Sequence, residues 1–194
     1  MGDFANMTRF YVNRNLTSIF TMWAGQRGTP VQEDDFRRIL PLLPTASLVS
    51  DQELQQLWGK LLESFCSEED LVLPSFGQTL AQLTSSEAKF LDAVWQHGRF
   101  PQRTDGLRSL YFQCKWNTLN EVVEYEEFPR QPSLLLRLEF DVVLSDLLRL
   151  GILERNSTFS EEVDGHLEEN IAFSGYGRKF MRAILGQPKN QETA

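Results

Sequence analysis

The chain has 194 residues, 41% hydrophobic and 24% charged, and carries a net charge of −8. That length gives one domain, or two small ones sharing a core, and the composition excludes wholesale disorder. The acidic balance disfavours non-specific attraction to nucleic acid or anionic lipid.

Residues 1–30 read as an aromatic, Asn-rich N-terminal arm. Met7, Phe10 and Tyr11 fit one helical face, and Ile19, Met22 and Trp23 fit another. Asn6, Asn13 and Asn15 are poor helix formers, so two short helices are expected. Such an arm either packs on the body or presents an apolar patch to a partner or a second copy. Asp3, Arg9 and Arg14 interrupt any secretory leader.

Residues 31–84 read as a helical subdomain. Glu33, Asp34 and Asp35 suit the start of a short helix through Phe36, Ile39 and Leu40, which Pro41 and Pro44 should end. Ser50-Asp51-Gln52-Glu53 has the pattern of a capping box. Leu54, Leu57, Trp58, Leu61, Leu62 and Phe65 follow as one apolar stripe, with Gln55, Gln56, Lys60 and Glu63 facing away. Pro74 and Ser75 open a further short helix carrying Phe76, Leu80 and Leu83.

Residues 85–186 read as a winged-helix-like subdomain, and 187–194 as a disordered tail. Thr84-Ser85-Ser86-Glu87 is a second capping box before Ala88, Leu91, Val94 and Trp95, with Gly98 as C-cap. Leu107, Leu110, Tyr111 and Cys114 fit another helix. Ser133 caps a long helix ending at Gly151, whose apolar residues lie almost all round, as in a helix central to a fold. Ile152-Leu153 and Ile171–Phe173 have strand character and flank an acidic tip. Gly175 and Gly177 break the chain before a last helix from Arg178 to Leu185. The fold class is therefore mainly α: a helical N-terminal part packed on a winged-helix-like C-terminal part with a small β-hairpin.

Three stretches carry a resemblance. They are Pro44–Leu48 with Asp51–Trp58 and Lys60–Leu62; Leu73–Phe76 with Leu80, Leu83, Glu87–Lys89 and Leu91-Asp92; and Leu148–Ile152 with Phe173-Ser174 and Gly177–Phe180. As an ordered set over roughly residues 36–98 and 133–183, they resemble the Abi-alpha family, a bacterial family named for abortive infection. The resemblance implies a role in phage defence and brings no catalytic residues. Family members usually carry a longer charged helical region at the front, where this chain has its aromatic arm. Gly177 reads as permitting a tight turn from strand to helix.

No HExxH, GxSxG or P-loop pattern is present, so no catalytic residue, cofactor or metal site is assigned. His97 suits a helix C-terminus, His166 a solvated tip. Cys66 and Cys114 lack the spacing of a metal or redox pair and read as small buried hydrophobes of a reducing cytoplasm. Gly175-Tyr176-Gly177-Arg178-Lys179 is faintly phosphate-like but lacks the rest of a P-loop. No run of about 18 apolar residues could span a membrane.

The expected function is that of a non-catalytic protein-interaction module. Its partner is a protein, bound through Phe10, Tyr11 and Trp23 of the arm or Glu161, Glu162, Glu168 and Glu169 of the wing. A homo-oligomer is left open. The alternative is a nucleic-acid-binding winged-helix regulator working through Arg99, Arg103, Arg108, Arg178 and Lys179. The acidic wing and the carboxylates Glu139, Asp141 and Asp146 on the long helix disfavour it, because phosphate contacts need cations.

Overall fold

The computed structural model describes residues 2–27, 32–67, 72–96, 134–156, 162–163, 166–167 and 170–187. They form helices α1 (Gly2–Gln26), α2 (Glu33–Ile39), α3 (Leu43–Ala46), α4 (Gln52–Ser67), α5 (Ser75–Gln82), α6 (Ser85–Gln96), α7 (Leu134–Arg149) and α8 (Gly175–Leu185). Strands β1 (Leu153–Asn156), β2 (Glu162–Val163), β3 (His166–Leu167) and β4 (Asn170–Phe173) lie between α7 and α8. The described chain is thus mainly helical with a small antiparallel hairpin. Residues 99–131, expected to complete a winged helix, lie outside the described residues, as do Gly98 and most of the tail.

The chain divides into two compact units, Met1–Ser85 with Lys179–Gly186, and Ser86–Arg178 with Gln187–Ala194. In the first, α1 lies along α4. Gly59 permits the close approach: a Cβ there would stand 3.3 Å from the Trp23 backbone nitrogen. Ile19, Trp23, Ile39, Trp58, Leu61, Leu62, Phe76 and Leu80 fill the interior. Phe180 packs edge-on to Phe76 with ring centroids 5.5 Å apart.

Several local expectations change here. The arm is one continuous helix, because the helix-unfavourable Asn15 is buried and its side-chain amide donates to the Ser47 carbonyl at 2.9 Å. That tertiary bond outweighs a propensity deficit of about 0.7 kcal/mol. α2 ends at Ile39, just before the Leu40-Pro41 step, as the prolines imply, but the chain stays helical beyond it. Each proline sits in the first turn of a new helical piece, a 3-10 turn Leu40–Leu42 and then α3, where the missing N–H is not needed. The cap of α4 is Asp51 rather than Ser50, with its carboxylate accepting the Glu53 and Leu54 N–H groups at 3.0 Å each. Gln55 turns inward because both ends of its amide are satisfied: it accepts from Ser18 Oγ at 2.6 Å and donates to the Val49 carbonyl at 2.8 Å.

In the second unit, Phe90 of α6 meets Phe140 of α7 edge-on at 6.2 Å, and Trp95 meets Phe173 of β4 at 5.4 Å. α7 ends in a Schellman motif. Gly151 takes a φ of +70°, its N–H donates to the Leu148 carbonyl at 3.0 Å, and the Ile152 N–H donates to Leu147 at 3.1 Å. β1 and β4 then pair antiparallel, Leu153 opposite Phe173 and Arg155 opposite Ile171. β2 and β3 pair antiparallel as well.

α7 is not apolar-buried all round: Leu138 is 55% and Val142 69% exposed. α8 begins at Gly175 rather than Arg178, so its glycines do not break it. Gly177 is needed for space and not for a turn. A Cβ there would lie 2.8 Å from the Ile152 carbonyl carbon and 3.0 Å from its Cα.

Candidate partner-binding surface

α1 divides into a pinned half and a free half. From Asn15 onward it is held by the Asn15–Ser47 and Ser18–Gln55 bonds, by buried Ile19, and by a stack of Phe20 on Phe36 with centroids 6.2 Å apart. Trp23 is 1% exposed, and its indole N–H donates to Glu63 Oε2 at 3.0 Å.

The end of the helix is clipped ionically. The Arg27 guanidinium lies 5.3 Å from the Trp23 ring centroid, 2.9 Å from Asp35 Oδ2 and 3.3 Å from Glu63 Oε2. Asp35 also accepts the Gln32 N–H at 3.0 Å. That backbone bond, followed by the nearby Arg27 charge, holds its carboxyl below the usual value. Beside it the half-buried Cys66 thiol is pushed up to about 11, first by burial and then by the negative charge of Asp35. A thiol so placed is a poor nucleophile at neutral pH. The cluster fastens α1 to α2 and α4.

The first half of α1 is different. Met7 is 57%, Phe10 63% and Tyr11 51% exposed, with the two rings edge-on at 5.8 Å. Arg9 and Arg14 are exposed beside them. Residues 4–32 hold three arginines and no acid, in a chain of net charge −8. The free end is therefore a cationic, aromatic projection.

Of the arm residues expected to bind a partner, Phe10 and Tyr11 are at this surface. Trp23 is not, because its ring closes the joint between α1 and α4 and its N–H is taken by Glu63. Met7 belongs with Phe10 and Tyr11, as its position one helical turn earlier implies. Arg9 and Arg14 were legible in the acid-free run. Of the wing carboxylates, Glu161, Glu168 and Glu169 lie outside the described residues, and Glu162 is placed only by its backbone in β2, opposite Leu167. Of the basic candidates, Arg99, Arg103 and Arg108 lie outside the described residues, while Arg178 and Lys179 are exposed on α8. The Gly177 N–H donates to Ser174 Oγ at 2.8 Å, so the start of α8 is capped from within the chain.

The exposed face of α7 carries Leu138, Asp141, Val142, Ser145 and Arg149, with Arg149 paired to Asp146 at 2.7 Å. Among the described residues, no three His, Cys, Asp or Glu side chains are grouped to hold a metal ion. None of the described helices is long and apolar enough to cross a membrane.

These features define a mainly helical protein whose most unusual surface is an aromatic, cationic helix end. The chain belongs to the Abortive infection alpha family, whose profile matches residues 27–184. α1 thus precedes the matched residues, and its pinned half is laid against them. No curated protein and no solved structure matches the chain.

Proposed function

We propose that the protein acts in bacterial phage defence, as its family name suggests, and works in the cytoplasm as a non-catalytic protein-interaction module. The free end of α1 is its contact surface. The observation that carries this reading is the exposure of Met7, Phe10 and Tyr11 on a helix anchored one to three turns later. Large rings with flanking arginines are the side chains that contribute most at protein interfaces. The nucleic-acid alternative has Arg178 and Lys179 exposed in its favour. Against it, the long helix turns Leu138, Asp141 and Val142 outward, a poor match to a phosphate backbone.

The test is a phage challenge of cells producing the wild type or a Phe10→Gln/Tyr11→Gln variant, at low and high multiplicity of infection. Wild type is expected to protect at low multiplicity and to let the culture collapse at high multiplicity. The variant should accumulate normally and fail to protect. Full protection by the variant would remove α1 as the contact, and no protection by wild type across a broad phage panel would remove the defence role.

A further inference from the structure

We draw no further inference here: the strongest candidate, the exposed apolar and cationic patch that Met7, Phe10, Tyr11 and Arg14 form on the free end of α1, belongs to the surface already described, and nothing in the structure shows what covers it.

Discussion

Gly177→Ala is the sharpest test of how the hairpin and α8 are joined. The added methyl would lie 2.8 Å from the Ile152 carbonyl carbon, against a normal carbon–carbon separation of about 3.5–4.0 Å. The start of β1 would have to withdraw by roughly 0.7 Å or more to restore that separation. Little allows it to. The Ile152 carbonyl accepts the Ser174 N–H at 3.0 Å, Ser174 Oγ donates to the Gly151 carbonyl, and the Ile152 side chain is fully buried. Overpacking of this kind costs about 3 kcal/mol, at the upper end because backbone must move. Loss of the Ser174–Ile152 bond adds about 1 kcal/mol. Replacing a helical glycine with alanine returns about 1 kcal/mol. The net loss is about 3 kcal/mol, which for a chain of this size lowers the melting temperature by about 6–12 °C. Gly175→Ala is the control, since its Cβ would meet nothing within 4 Å, and it should be neutral or slightly stabilising. The readout is thermal loss of the near-UV circular dichroism of the tryptophans, among them Trp95, which packs edge-on against Phe173. A Gly177→Ala protein melting within roughly 2 °C of wild type would refute the steric argument.

The division of α1 gives a second contrast: Trp23→Ala should lose about 3–5 kcal/mol in denaturant unfolding, while Phe10→Ala should change stability by less than about 0.5 kcal/mol. Comparable losses at the two sites would contradict a pinned and a free half. For pH, the Asp35 carboxyl is held below its ordinary 3.8, so its stabilisation is present above that value and lost as pH falls through the lower folded value. Asp35→Asn should therefore melt below wild type at neutral pH, with the gap closing under acid; a gap that is constant with pH would count against the Gln32 and Arg27 contacts. Cys66, raised from 9.0 to about 11, should be alkylated by iodoacetamide at pH 8 on the order of 10-fold more slowly in the folded chain than in denaturant. Peptide mass spectrometry of Cys66 reads this directly, and equal rates in the two states would show the thiol to be unshielded.

Much of the helical order was legible because local signals agreed with burial. The stripe from Leu54 to Leu62 is the core face of α4, Pro74 caps α5 and Ser75 begins it, and Gly151 does stop α7. The misreadings have a common cause. Asn15, Gln55 and Gly177 each look locally unfavourable or outward-facing, and each is placed by a partner far along the chain: Ser47, Ser18 and the Ile152 backbone. Periodicity is blind to a hydrogen bond over 32 residues or to a backbone crossing at van der Waals distance. The same blindness affected the candidate surface. Phe10 and Trp23 are equally aromatic in sequence, and it is tertiary neighbours such as Gly59 and Glu63 on α4 that bury Trp23. On α7, apolar residues all round suggested a central helix, and nothing local marks Leu138 and Val142 as the pair left outside.

The position of Asn15 bears on why Phe10 is exposed at all. A buried amide bonded to one carbonyl fixes both the height and the rotation of a helix, since sliding or turning α1 would strand a polar group in the interior. With Asn15 and Ile19 so held toward the body, the helical repeat carries Phe10 to about half a turn from Ile19. Phe10 therefore points away from its own body for as long as that bond is made. Rotating it inward would take Ile19 and Trp23 out of the core, a far larger loss than one ring could recover. The exposure is thus imposed by the anchor and not left over from poor packing. A chain that only needed α1 as a brace would be served as well by a polar residue at position 10. The ring of Phe10, held outward beside Arg9, is of the kind enriched at protein–protein contacts.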